Sequence, residues 1–334
     1  MRSFQRYILK GVLGLVLCGM GWEAVAQSDR PLSQYGRLPY FYNPAAAGME
    51  DFTDLKVGFK QQWSAMNQVP RSYILAASHA FNGVNLPSLA SYGKNRSVKP
   101  TARHAPKVGI SGFVLQEAAG AYSDLQTGFS TAAHVPVSRK FYLSAGLTLG
   151  YNQVNVKLED LRVRDRQDSY YQGLLGANGS LRYFSLDAGL MLYSDQTYIG
   201  YSAQRLLRVR LNEELDGSGK TYIRHTALLG HTFQLDPDWE LAPGALVRYE
   251  GNLDLIVNLN AKVRYRNMVW VGAGVVPEGS VSALVGFAPT NRFTLNYSYD
   301  YSIAGANEFD FGDSHELVVG MALFKKSNQR AIMW

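Results

Sequence analysis

Hydrophobic and polar residues alternate with a period of two along most of the chain beyond about residue 54. Leu255, Val257, Leu259, Ala261, Val263 and Tyr265 interleave with Ile256, Asn258, Asn260, Lys262 and Arg264. Phe293, Leu295, Tyr297 and Tyr299 interleave with Arg292, Thr294, Asn296, Ser298 and Asp300. Phe141, Leu143, Ala145, Leu147, Leu149 and Tyr151 stand opposite Tyr142, Ser144, Gly146, Thr148, Gly150 and Asn152. Successive side chains of a strand point to opposite faces. Each segment is therefore a ribbon with one face suited to lipid and one to a polar lumen, with aromatics near the strand ends where a headgroup girdle wants them. The pattern predicts strands at 54–63, 71–80, 107–116, 124–135, 140–153, 182–193, 196–204, 222–234, 239–250, 254–265, 268–276, 280–288, 291–301 and 315–324. That is about 14 strands, most of a length that crosses a bilayer when tilted.

Such a set of ribbons predicts an all-β fold, a transmembrane antiparallel β-barrel. In hydrocarbon an orphaned backbone N–H or C=O costs several kcal/mol, so an open sheet fails at its two edges and a closed one does not. With the first strand running outward, the turns 136–139, 194–195, 235–238 and 289–290 fall on the inner side and are short. The longer loops 154–181, 205–221 and 302–314 fall on the outer side, which is the barrel habit. Segment 81–106 is long and breaks that rule. A soluble sandwich or propeller is the alternative, but there is no blade-length repeat, and many strands are long for a sandwich with hairpins this short.

The 334 residues have a slightly negative mean hydropathy. Beyond residue 26 no stretch approaches the ~18 apolar residues of a spanning helix. Residues 1–26 read as a signal peptide for the Sec pathway: Arg2, Arg6 and Lys10, then apolar Gly11 to Trp22, then Ala24-Val25-Ala26. The only cysteine, Cys18, lies in that apolar run, without the small residues before it that a lipoprotein needs. Its removal leaves no disulfide framework. Removing Arg2, Arg6, Lys10 and Glu23 lowers the net charge from +6 to +4, too dispersed for nucleic acid. The expected organisation is a signal peptide (1–26), a periplasmic N-terminal plug or latch (27–53), an outer-membrane barrel (54–324) and a C-terminal tail (325–334).

No active site emerges. Gly272-Ala273-Gly274 opens no helix, and Gly173-Leu174-Leu175-Gly176 lacks the Lys-Ser/Thr of a phosphate-binding loop. The six histidines are scattered; His225 and His231 would be ~20 Å apart along a strand, too far for one metal. A lipase pairing of His79 with Ser111 or Ser130 is less natural than lumenal polar roles. Asn178-Gly179-Ser180 reads as a turn. The expectation is a protein that is not an enzyme and holds no cofactor or metal.

The least repetitive stretch precedes and spans the first hairpin. It reads Gln34-Tyr35-Gly36, then Pro39-Tyr40-Phe41-Tyr42-Asn43-Pro44-Ala45-Ala46-Ala47-Gly48, then Lys60-Gln61-Gln62-Trp63 and Val69-Pro70-Arg71-Ser72. Asn43 before a proline is biased to extended backbone, and Gly48 suits a left-handed one. The segment is either a plug that caps the lumen or a docking surface facing the periplasm.

Here the chain resembles the PorP/SprF family of type IX secretion system membrane proteins of Bacteroidetes. Gln34, Tyr35, Pro39, Asn43, Pro44, Ala45, Ala47 and Gly48 match the family's first element. Lys60, Gln62, Trp63, Pro70 and Arg71 match the second, with Lys where Arg is common. The long basic segment 81–106 and the tail after Phe324 depart from the pattern.

The resemblance implies a non-enzymatic outer-membrane component of the secretion apparatus that docks or anchors its periplasmic parts. Implied partners are outer-membrane lipids, a ring lipoprotein complex, a peptidoglycan-binding anchor protein and, for dedicated copies, a secreted adhesin, with a link to gliding motility. Gln34, Tyr35, Pro39, Asn43, Pro44, Gly48, Gln62, Trp63, Pro70 and Arg71 are the docking candidates, and Lys94, Arg96, Lys99 and Arg103 of the basic segment supplement them. The alternative is a passive channel or transporter for small solutes, lined by Lys262, Arg264 and Arg292 and favouring anions.

Overall fold

The computed structural model describes residues 32–65, 68–82, 105–160, 167, 169–212, 222–251, 255–277, 279–303, 312–325 and 331–334. The strands are β1 (Thr53–Gln61), β2 (Arg71–Asn82), β3 (Lys107–Ala119), β4 (Tyr122–Pro136), β5 (Tyr142–Val156), β6 (Ser180–Tyr193), β7 (Thr197–Arg210), β8 (Arg224–His231), β9 (Phe233–Gln234), β10 (Trp239–Glu250), β11 (Ile256–Tyr265), β12 (Val269–Val276), β13 (Ser280–Phe287), β14 (Phe293–Ser302) and β15 (Ser314–Leu323). Each pairs antiparallel with its neighbours, and β15 pairs with β1 from Thr53↔Leu323 to Gln61↔His315, closing the wall. β9 continues β8 past a one-residue break, so the barrel has fourteen staves.

That break has a local cause. Pro243 of β10 lies just past the last β8–β10 pair, Gly244↔Gly230. A proline cannot donate to the ladder. On the strand's other side the ladder continues, with Thr232 N–H donating to the carbonyl of Gln196 at 2.7 Å.

The alternation sorts the two faces. Leu55, Val57 and Phe59 of β1 point outward, while Asp54, Lys56 and Lys60 point inward and are buried. Leu149 is 67% exposed and Leu75 58%, part of a continuous apolar belt. In water such a belt would cost about 25 cal/mol per Å²; against acyl chains it costs nothing. Near one rim the belt carries Trp239, packed on Tyr265 at 4.8 Å, with Phe81, Phe287 and Phe293. Near the other it carries Tyr73, Tyr249 and Tyr301. Among the described residues no helix is long and apolar enough to cross a membrane.

The rim that carries Thr53 and Leu323 is here the proximal end. Its connections 137–141, 194–196, 235–238, 266–268 and 288–292 are short, and the longer 157–179, 211–223 and 303–313 lie at the distal end. On the outer face of β3–β5 the belt turns polar toward the distal end. Gln116 donates to Ser123 (2.9 Å), Tyr151 to Gln153 (3.0 Å) and Gln153 to Asn155 (3.1 Å).

Most strand ends differ from the sequence expectation by one to three residues, and two regions differ by more. β7 runs to Arg210, not Gln204, because a bulge at the β6–β7 register shift between Leu186 and Ala188 reverses the alternation. Arg205 takes φ +60° there and donates its N–H to Asp187 at 2.7 Å. The expected loop 154–181 instead holds the end of β5, a 3₁₀ turn (Leu158–Asp160) and a helix, α1 (Ser169–Gly176).

Candidate functional site: a plugged lumen

Residues 32–50 lie inside the barrel, and Asp51 reaches the proximal rim. They form a 3₁₀ turn (Tyr35–Arg37), a single helical turn (Pro39–Tyr42) with proline at its first position, and a second 3₁₀ turn (Pro44–Ala46). Tyr35, Leu38, Tyr42, Asn43, Ala45 and Ala47 are all at most 1% exposed.

The wall is shaped to receive this segment. Ladder pairing aligns Ala80, Gly109, Ala132, Gly146, Gly189 and Ser202 across β2–β7 as a row of small inward residues. A Cβ on Gly146 would collide with the carbonyl of Pro44, one on Gly189 with the Asn43 side chain, and one on Gly109 with the carbonyl of Ala47. Gly48 itself needs φ +67°, and a Cβ there would strike Gly109 and the carbonyl of His79.

Every carbonyl from Phe41 to Ala47 finds a donor. Gln204 Nε2 serves Phe41 (3.2 Å), Ser202 Oγ serves Tyr42 (2.6 Å) and Ser144 Oγ serves Ala45 (2.8 Å). The N–H groups of Ala46, Ala47 and Met49 serve Asn43, Pro44 and Ala46. His134 Nε2 stands 2.7 Å from the carbonyl of Ala47, and Tyr193 Oη stands 2.8 Å from His134 Nδ1. A carbonyl only accepts, so Nε2 carries the proton and Nδ1 accepts from the tyrosine. Lys107 Nζ then donates to the carbonyl of Met49 (2.6 Å) and to Asp51 (2.9 Å). Buried irregular backbone is tolerated only when satisfied in this way.

Asn43 is the key of the seat. Its Oδ1 accepts the N–H of Ala45 at 2.9 Å. Its Nδ2 donates to the carbonyls of Leu190 (3.1 Å) and Tyr201 (3.3 Å), one on each of two paired wall strands. Asparagine supplies one acceptor and two donors on one short side chain, which the aspartate isostere cannot.

The segment's first residues rise toward the distal half of β14 and β15. Glu316 accepts the N–H groups of Ser33 (3.0 Å) and Gln34 (3.2 Å), and Ser33 Oγ donates to Asp300 (2.6 Å). Arg37 donates to Thr294 (2.7 Å) and lies over Trp270 at 5.6 Å. Burial lowers the Arg37 pKa from its ordinary value, against the pull of Asp54 and Glu50. Burial, then the charge of Asp54, pushes Glu50 up to about 7, with the Ile332 N–H, Lys56 and Lys107 opposing.

The ten docking candidates therefore divide. Gln34, Tyr35, Pro39, Asn43, Pro44 and Gly48 are buried in the lumen and offer no outer surface. Gln62, Trp63, Pro70 and Arg71 sit at the distal rim, where Gln62 N–H meets Pro70 O at 2.9 Å and Trp63 takes φ +56°. Lys94, Arg96, Lys99 and Arg103 lie outside the described residues. Of the cations expected to line a pore, Lys262 and Arg264 do face the lumen, while Arg292 is an exposed residue of the 288–292 turn. The sequence reading missed Ser144, Ser202, His134, Gln204, Lys107 and Glu316. Their inward parity was legible; their shared height on the wall was not.

Residues 331–334 enter the proximal lumen beside the plug. Met333 and Trp334 are buried, and the indole lies 3.9 Å from the Arg264 guanidinium and 5.1 Å from Lys262. Arg264 is itself paired with Glu240 on β10, Nε to Oε2 at 2.8 Å.

A closed wall, an apolar outer belt and a lumen filled by the chain's own N-terminal segment define a membrane-spanning β-barrel with an internal plug. A family model described as "Type IX secretion system membrane protein PorP/SprF" matches residues 24–321, and the chain belongs to that family. No curated protein matches it. Among solved structures it is similar to a TodX deltaS2S3 mutant, a monoaromatic hydrocarbon channel, at 11% identity and TM-score 0.47, covering 85% of this chain and 93% of that one. It is also similar to the CymD monoaromatic hydrocarbon channel (12%, TM-score 0.47, 91% and 94%). A third is the Acinetobacter baumannii outer membrane protein Omp33 (12%, TM-score 0.43, 83% and 100%).

Proposed function

We propose that this protein is a non-enzymatic outer-membrane station of the type IX secretion apparatus, exported by the Sec pathway and anchoring periplasmic machinery at its proximal end. The observation that carries the reading is the family match across a barrel whose lumen is occupied by its own chain. A wall so filled suits a fixed attachment point better than a wide conduit. Apart from the segment between β2 and β3, the proximal end holds only short turns, while the long loops lie at the distal end, so the proximal end is assigned to the periplasm. With residues 32–49 committed to the lumen, docking falls to proximal elements outside the plug: the segment between β2 and β3, with Lys94, Arg96, Lys99 and Arg103, and the rim around Asp51. The periplasmic ring lipoprotein complex and a peptidoglycan-binding anchor protein are the proposed partners, with adhesin cargo served indirectly.

Deleting residues 83–104 tests this. The barrel should still assemble and shift on heating in SDS gels, while co-purification of the periplasmic partners should be lost. Full co-purification with the deletion variant would reject this docking face.

A further inference from the structure

Three small cavities follow one another beside the plug, mainly against β10–β15, with Tyr198 of β7 and His231 of β8 at one end and Lys60 of β1 at the other. The first, at the proximal end, lies between Tyr35, Asn260, Lys262 and the segment Ile332–Trp334. The second shares Gly36, Asn260 and Lys262 with the first and adds Arg37, Trp270 and Asn296. The third shares Ser33 with the second and opens among Lys60, Trp63, Ser280 and Asp300 at the distal rim. Each has room for about one water molecule.

Several polar atoms along this line lack protein partners. Gln34 Nε2, Arg37 Nε, Asn296 Oδ1, Ser298 Oγ, Asp300 Oδ1 and Ser302 Oγ are buried with no hydrogen-bond partner among the described residues. Buried polar atoms are satisfied by protein or by water. Across the plug, on the β2–β7 side, the carbonyls of Phe41 to Ala47 are all satisfied by protein. The two sides of the plug thus differ in how densely the plug backbone is keyed to the wall, although Ser111 Oγ on β3 is also buried without a partner among the described residues.

We propose that this side of the lumen is a hydrated path for small inorganic anions, and that residues 331–334 are the stopper that closes it at the proximal end. The selectivity follows from charge. The middle cavity is lined by two cations, Arg37 and Lys262, and by no carboxylate. The stopper's hold is light by comparison with the plug's. It rests on the Ile332 N–H to Glu50 Oε1 bond of 3.0 Å, the indole of Trp334 over Arg264 and Lys262, an edge contact of Trp334 with Trp270 at 6.4 Å, and the packing of Ile332 and Met333 on the plug's apolar cluster. Among the described residues only one hydrogen bond ties this segment to the plug, against the full set that seats the plug on the wall. The proposal is independent of which partner docks outside.

The test uses the full chain in planar bilayers under a KCl gradient. Wild type should be silent apart from brief openings. Trp334→Ala should raise the open fraction at least tenfold, with a reversal potential on the anion side. Adding Lys262→Gln should keep the openings and remove the anion preference. If Trp334→Ala fails to insert, Ile332→Pro, which deletes the N–H bonded to Glu50, takes its place. In parallel, Asn296→Cys should react faster with a small anionic thiol reagent when the stopper is weakened. A folded stopper variant as silent and as unreactive as wild type overturns the proposal, as does one that opens without anion preference. Loss of partner binding alone changes none of these readings.

Discussion

Asn43 concentrates more structural consequence than any other side chain in the lumen. Replacing it with alanine removes a turn bond and leaves the Leu190 and Tyr201 carbonyls without their lumenal donor. The two carbonyls keep their ladder bonds, so the cost is that of three lost hydrogen bonds at about 0.5–1.5 kcal/mol each. Asn43→Ala should lower the temperature of the heat shift in SDS gels and expose residues 32–49 to added protease. Gly189→Ala acts from the other side of the same contact, since the new Cβ meets Asn43 Oδ1. It should dislodge the plug with the wall ladder intact, read as protease cleavage before Thr53 with unchanged far-UV circular dichroism. Glu50 gives a pH signature. Its carboxyl is pushed from 4.5 up to about 7 in the folded chain, so the folded state holds a proton the unfolded one lacks between those values. Stability should fall as pH rises through that window, and Glu50→Gln should flatten the profile.

At the scale of elements, plug and wall make separate claims on stability. The ladder closes on itself through β1 and β15 without any contribution from residues 32–52. A chain lacking residues 32–49 should therefore still insert and shift on heating, but should conduct steadily in planar bilayers. Failure of that variant to assemble would show that the plug templates closure. The elements also show where parity reasoning stops. The strand run ending at Gln204 was legible from alternation, but Leu206-Leu207 breaks the period and concealed the extension to Arg210. The bulge that explains it depends on a bond from Arg205 to Asp187 on another strand.

At the scale of the whole molecule, orientation becomes testable. The outer face of β3–β5 turns polar at the distal end through Gln116, Ser123, Gln153 and Asn155, so those strands should stand clear of the bilayer. Asn155→Cys should label in intact cells with an impermeant maleimide, and Leu147→Cys should not. Labelling of Asn155→Cys only after permeabilisation would invert the barrel and move the docking face with it.

The sequence by itself determined the wall. Period-two alternation in lipid leaves only a closed sheet, because every backbone amide must be paired, and the fourteen staves and their inward residues follow from parity. It also determined that residues 34–48 were special, since their turn-forming residues do not alternate. Tertiary structure alone decided where that segment goes. Whether Gly109, Gly146 and Gly189 form one seat depends on cross-strand register, which hydrogen bonds between distant segments set and a linear pattern does not encode. The place of Trp334 against Arg264 and Lys262 was decided in the same way, by lumenal space that exists only once the wall has closed.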